Sequence, residues 1–314
     1  LEEVKIRAEQ EELAKEKSEL ELLLSSDARL KTLVKKELKA SAEEYGDERR
    51  SALKERTEAQ AFSEKDLVTA EPVTVVLSDK GWLRAAKGHD IDPTSLNYKA
   101  GDKFLSSALG RSNQNLFLQD TTGRFYALSA HTLPSARGQG EPATGRLNPP
   151  SGSLFTHVVM GDDSQKILLG TDAGYGFVAK IGDLFTKNKA GKAVVSIPKG
   201  GKILSPKLVS DENLLIAAVS NEGRLLAFPL SDLPELSRGK GNKIINIPSS
   251  RLQAREEFVV DFAVIPEGGS LVVHSGKRYL VMKSKDLEHY RGERGRRGHK
   301  LPRGFQKVDR LEAE

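Results

Sequence analysis

Five stretches carry the reading of this chain: VVLSDKGWLRA from Val75, LFLQDTTGRFYAL from Leu116, ILLGTDAGYGFVA from Ile167, LIAAVSNEGRLLAF from Leu215 and LVVHSGKRYLVM from Leu271. Each has an apolar, β-branched run, a polar turn carrying Gly and a second apolar run, which is the pattern of a β-hairpin. The turn glycines Gly81, Gly123, Gly174, Gly223 and Gly276 stand 42, 51, 49 and 53 residues apart. A period in that range marks an array of β blades, none of which can bury both faces alone.

The likeness extends on both sides of the hairpins. Four lead into Thr132-Leu133, Asp183-Leu184, Asp232-Leu233 and Asp286-Leu287, and then into polar, Gly-containing stretches: RGQG at Arg137, NKAGK at Asn188, RGKG at Arg238 and RGERGRRGHK at Arg291. Apolar runs at Phe104, Phe155, Ile203 and Phe258 precede the last four hairpins, and short runs at Val194 and Ile244 supply a further strand. Four strands per repeat make a mainly β fold of five four-stranded, propeller-like blades over residues 67–314.

Before the repeats the period is different. Ile6, Leu13 and Leu20 stand seven apart among Glu and Lys, which predicts a long helix with a narrow packing seam. Ser25, Ser26 and Asp27 then offer N-cap chemistry to a second helix ending near Tyr45. Residues 1–60 therefore read as a helical, coiled-coil stalk segment, followed by a linker at 61–66. The Glu/Lys-rich faces are read either as solvated surface or as one side of a seam that needs a partner.

Charge divides with the fold. Leu1 to Asp66 holds 14 Lys and Arg against 18 Asp and Glu, and the rest holds 35 against 26. A basic excess confined to the β part is either a generic basic surface or an electrostatic footprint for a polyanion. The absence of cysteine excludes disulfides, thiolate zinc sites and cysteine nucleophiles. The opening LEEVKIRAEQEE is too charged for a secretory signal, and no apolar run approaches a membrane span. His89, His131, His157, His274, His289 and His299 show no metal-ligand spacing, and no phosphate-binding P-loop is present. A hydrolase on a propeller scaffold has no nucleophile, base and orienter to support it.

Arg and Lys beside Gly suit phosphate, because the backbone can approach closely while long cationic arms neutralise the strand. The candidate phosphate contacts are Lys87, Arg124, Arg137, Lys189, Lys192, Arg224, Arg238, Lys240, Lys277, Arg278, Arg291, Arg294, Arg296, Arg297, Lys300 and Arg303. The stretch from Arg291 to Arg310 is the most basic of the chain. It reads either as a disordered tail or, through Leu301, Phe305 and Val308, as a strand returning to the array.

LVKKELKASAEEYGDERRS, from Leu33 to Ser51, resembles the last helix of the breakage and reunion domain in type IIA topoisomerase A subunits, with its Tyr-Gly-Asp-x-Arg-Arg signature. The preceding helix is similar to the second arm of that family's coiled-coil stalk. Gyrase A subunits carry a QRRGGKG-type box in the first blade. This chain has only Lys87-Gly88 there, in GWLRAAKGHDIDPTSL, and approaches the box only at ERGRRGHK. The resemblance is therefore to the topoisomerase IV branch.

It implies a β-pinwheel that binds and bends double-stranded DNA for ATP-dependent strand passage, decatenating and relaxing chromosomes in a bacterial cytoplasm, in association with the nucleoid. It also implies a holoenzyme that contains a second A subunit together with the topoisomerase IV B subunit. ATP and magnesium would be handled by the B subunit, so no cofactor is expected in this segment. The family's cleaving tyrosine follows an arginine in an upstream domain. Tyr279, after Arg278, sits in a hairpin, and none of the six tyrosines has that setting. The alternatives left open are a gyrase-type wrapping domain and a protein-docking platform, for instance for an SMC-type chromosome-organising protein.

Overall fold

The computed structural model describes residues 2–47, 51, 69–210 and 214–314. The chain divides into two compact units, Leu1–Ala61 and Phe62–Glu314. The linker expected at 61–66, and Glu48, Arg49 and Arg50 of the signature, lie outside the described residues. No helix among the described residues is long and apolar enough to cross a membrane.

The first unit contains α1 (Glu2–Leu24) and α2 (Asp27–Tyr45), with Ser26 at the N-cap of α2. Neither helix buries a residue, and the seam residues Ile6, Leu13 and Leu20 are 58%, 59% and 52% exposed. Apolar residues at that spacing stabilise a helix chiefly through a packed neighbour, so this stripe is a surface built to be covered.

The second unit is an array of five antiparallel blades, and all five expected hairpins are formed. Blade 1 has Pro72–Ser78 and Trp82–Lys87, flanked by Phe104–Arg111 and Glu141–Pro142. Blade 2 has Asn115–Asp120 and Arg124–Ser129, flanked by Phe155–Met160 and Lys192–Ala193. In blade 3, Lys166–Thr171 and Tyr175–Lys180 lie between Lys207–Val209 and Asn242–Lys243. In blade 4, Leu215–Ser220 and Arg224–Pro229 lie between Val259–Ile265 and His299–Lys300. The sheet of blade 5 has three strands, Leu271–Ser275, Arg278–Met282 and Arg310–Ala313. The basic tail is thus ordered, with Leu301 and Val308 buried.

Strand partnership differs from the order along the chain. The run at Phe104 stands just before hairpin 2 in the sequence. It pairs with the hairpin before it, Val73 opposite Gly110 and Val75 opposite Ala108. The fourth strand of each complete blade comes from still further on. Glu141–Pro142 returns to Trp82 and Leu83 only after the whole of hairpin 2 has been laid down. Lys192–Ala193, Asn242–Lys243 and His299–Lys300 do the same for blades 2, 3 and 4. Each of blades 1 to 4 is therefore closed by chain that has already formed the hairpin of the next one. Strands apolar on both faces carry no sidedness that would reveal this from sequence.

Alternation along each hairpin divides its side chains between two neighbours. Leu116 and Leu118 face blade 1, packing with Val75, Leu77 and Leu83, whereas Phe117 faces blade 3, packing with Ile167, Leu169 and Phe177. Ile216 and Ala218 likewise pack with Leu168 and Val178, and Ala217 and Val219 with Leu271 and Val273. Four core clusters seal the junctions 1–2, 2–3, 3–4 and 4–5. No cluster among the described residues joins blades 5 and 1.

Near the centre, where the third strands of blades 1 and 2, 3 and 4, and 4 and 5 pack side by side, Asp261 of blade 4 ties three blades together. It pairs with Lys207 of blade 3 at 2.9 Å and accepts the Leu311 N–H of blade 5 at 3.0 Å. His157 faces a cavity of about 280 Å³ lined also by Ser106, Ser205 and Leu208. Burial, reinforced by Lys207 and opposed by Asp261, pushes its pKa down from 6.5 to about 4. The folded state thus favours the neutral ring. This contribution is complete above pH 6.5 and is lost as the pH falls towards 4, a loss on the order of 3 kcal/mol. Denaturant unfolding as a function of pH should show that acid limb, and His157→Gln should flatten it.

Candidate nucleic-acid interface

Because the third strands gather at the centre, the opposite edge of each sheet, formed by the two-residue fourth strand, is the perimeter. The basic Gly-containing stretches are the turns that lead into these fourth strands. Their glycines are required by close approach. A Cβ on Gly241 (φ +72°) would stand 2.2 Å from the Gly176 carbonyl oxygen, and one on Gly298 (φ +71°) 2.3 Å from that of Leu225. The turn can thus lie against the hairpin only with glycine there, which leaves the neighbouring cations at the surface.

Backbone hydrogen bonds stitch the turns to one another along this edge. Asn148 N donates to the Lys189 carbonyl at 2.8 Å, and Ser196 N to that of Gly239 at 2.9 Å. Asn246 N donates to the Arg296 carbonyl at 2.9 Å, and Gly295 N to that of Ile244 at 2.8 Å. Segments 137–148, 188–196, 238–246 and 291–300 consequently form one belt along blades 1 to 4.

The candidate cations fall into three groups. Arg137, Lys189, Arg238 and Lys300 are exposed on the belt with no carboxylate in reach among the described residues. Arg291 and Arg296 are also on it, paired with Glu288 at 3.1 Å and Glu293 at 2.7 Å. Such exposed pairs contribute little and exchange readily for phosphate. Lys240 completes this group, its ammonium 3.9 Å from the centre of the Tyr175 ring.

A second group is engaged within the fold. Arg297 donates to both oxygens of Glu257 at 2.7 Å, and Arg251 reaches the same fully buried carboxylate at 2.9 Å. Arg294 donates to the Lys243 carbonyl at 2.8 Å and Lys192 to that of Asp183 at 2.5 Å. Arg124 donates to the carbonyls of Ala190 and Gly191, and Arg224 to that of Gly298. The third group lies off the belt. Lys87 pairs with Glu71 at 3.3 Å, Lys277 and Arg278 are on the hairpin of blade 5, and Arg303 is exposed beside Gly304.

Sequence reasoning missed Lys187 and Arg146. With Lys189, Phe185 and Leu147 they line a cleft of about 480 Å³ on the perimeter. Lys187 stands one residue before the NKAGK stretch, which was the available signal, whereas Arg146 lies six residues beyond RGQG and is paired with Glu141 at 2.6 Å. Where the gyrase-type box would stand, residues 88–103 fold back on blade 1. Asp92 caps the short helix Pro93–Ser95, Tyr98 stacks under Arg84 at 4.5 Å, and Lys99 lies 3.4 Å from the centre of the Trp82 ring.

A family model described as the DNA gyrase C-terminal domain, beta-propeller, matches residues 165–210 and 215–266. The class is thus the C-terminal β-pinwheel of type IIA topoisomerase A subunits. The chain is 59% identical over 312 residues to the DNA topoisomerase 4 A subunit of Pseudomonas aeruginosa, covering 99% of this chain and 41% of that protein. It is 50% identical to the Escherichia coli K12 protein of the same name, covering 100% of this chain and 42% of the relative. The solved C-terminal domain of E. coli ParC superposes with a TM-score of 0.71 at 49% identity, over 78% of this chain and 99% of that one. The chain belongs to the topoisomerase IV A-subunit family and spans about two fifths of the length of these curated relatives.

Two neighbouring arginines should behave oppositely. Arg297→Ala takes from a buried carboxylate one of its two arginine partners, leaving Arg251, and should cost about 2 kcal/mol of stability. Arg296→Ala removes only a surface pair and should stay within about 0.5 kcal/mol of the unchanged protein. Denaturant midpoints of the two variants measure the difference.

Proposed function

We propose that the β domain holds duplex DNA along the belt of blades 1 to 4, bends it, and presents it to the intact topoisomerase IV for ATP-dependent strand passage. Decatenation and supercoil relaxation during bacterial chromosome segregation would follow. The observation that carries this reading is the stitched belt, with an exposed cation on every one of its four turns. Repeated phosphate contacts position a duplex without reading its sequence. Bending a stiff short segment costs on the order of 1 to 6 kcal/mol, which extra backbone contacts along a curved edge offset.

In this reading the segment supplies substrate capture and no chemistry of its own. Cleavage belongs to an upstream domain of the A subunit, present twice in the holoenzyme. The B subunit supplies ATP hydrolysis and magnesium, and the complex works on the nucleoid in the cytoplasm. The open junction between blades 5 and 1 and the lack of a gyrase-type box favour bending over complete wrapping. A second role, docking an SMC-type chromosome-organising protein, is favoured by blade 5. Among the described residues its edge strand Arg278–Met282 has no fourth strand over it, and it exposes Tyr279 and Val281.

If about six to ten phosphates are neutralised, affinity for a short duplex should fall about 10³ to 10⁵-fold between roughly 50 and 200 mM salt. Reversing the charge of Lys189, Arg238 and Arg296 together should weaken binding equally on unrelated sequences. A flat salt response, or unchanged binding by the triple variant, would overturn the proposal.

A further inference from the structure

Beneath three of the four belt turns lies an arginine of the second hairpin strand. Arg84 donates to the Gly138 carbonyl at 3.0 Å and to that of Asn97 at 2.8 Å. Arg124 donates to the carbonyls of Ala190 and Gly191, both at 3.2 Å. Arg224 donates to the Gly298 carbonyl at 3.4 Å. None of the three guanidinium groups has a carboxylate within ion-pair distance among the described residues. Arg84 is only 2% exposed, which removes it from any phosphate. Nη2 of Arg84 and Nε of Arg224 are buried without a partner.

Arg84 is buried and Arg124 and Arg224 are half-buried, and taking a cation out of water is expensive unless something is gained from it. Here the partners are neutral carbonyl oxygens of the turns that present the belt cations. Nη1 of each guanidinium draws those oxygens inward, away from an approaching phosphate, and the unneutralised charge lies under the turn, where salt screens it less than at the surface. Blade 3 has Tyr175 at the position of Arg124 and Arg224. Its turn is held instead by Lys240 on the tyrosine ring and by the Arg294 bond to the Lys243 carbonyl.

We propose that Arg84, Arg124 and Arg224 are positioning residues that clamp the basic turns of blades 1, 2 and 4 in phosphate-binding shape, and are not themselves the phosphate contacts. The role in DNA binding rests on the function proposed above, whereas the clamp itself can be tested without DNA.

Arg124→Lys and Arg224→Lys, made separately in the full 314-residue chain, keep the charge and lose the rigid, planar guanidinium that aims Nη1 at the turn carbonyls. Amide hydrogen exchange without DNA should speed up at residues 189–193 in the first variant and 297–300 in the second, with the remaining blades unchanged. Affinity for a short duplex should fall about tenfold, and the slope of log affinity against log salt should drop by about one to two, although no charge has been removed. The corresponding Gln variants should show the same exchange. If the Lys variants bind as the unchanged protein does while the Gln variants weaken, these arginines are simple phosphate contacts and the proposal fails. Unaltered exchange at the turns would also end it. Salt-insensitive binding by the unchanged protein would instead count against the DNA reading, leaving the exchange result to decide the clamp.

Discussion

The structure depends on one constraint: each of blades 1 to 4 is completed by chain that has first formed the hairpin of its neighbour. A two-residue strand is too short to hold a sheet edge by its own hydrogen bonds. It is held because the residues beside it are buried in the next junction. Ile244 and Ile245, directly after Asn242–Lys243, lie in the core between blades 3 and 4. Val194 and Val195, directly after Lys192–Ala193, lie between blades 2 and 3. Edge pairing and inter-blade packing therefore support each other, and the basic turns are fixed in place because they join the two.

Function follows from where that arrangement leaves the polar residues. Apolar side chains are taken up by four junctions and the third strands by the centre, so the perimeter receives the turns. The glycine that lets each turn press against a hairpin also fixes the spacing of cations along the edge. Blade 5 lies outside the scheme, since no later blade among the described residues sends a strand back to it. The belt consequently ends at residues 291–300, and the exposed strand beyond it has a different chemistry.

Much of this was legible in the sequence. The spacing of Gly81, Gly123, Gly174, Gly223 and Gly276 revealed five hairpins, the seven-residue spacing of Ile6, Leu13 and Leu20 a helix, and the recurrence of RGQG, NKAGK and RGKG the elements of the belt. Strand partnership was hidden because Leu116, Phe117 and Leu118 are all buried, and a run apolar on both faces has no preferred neighbour. Arg297 reads as one more cation in a basic run, since its partner Glu257 is 40 residues away and pairs through the fold alone. Arg84 is equally disguised. Nothing in GWLRAAKG distinguishes a surface cation from one enclosed by Tyr98 and the Gly138 carbonyl.

The central claim is that one duplex follows the perimeter across four consecutive turns. The chain has no cysteine, so single cysteines at Gln139, Ala190, Ser237 and His299 can each carry a photocrosslinker without other changes. Mapping the crosslinks on a duplex of defined ends tests the claim most directly. A duplex that follows the perimeter gives crosslinks from all four positions, in the order 139, 190, 237, 299 along the DNA and spread over more than one helical turn. Crosslinks from a single turn, or stronger ones from control cysteines at Leu109 and Leu208 near the centre of the array, would contradict it.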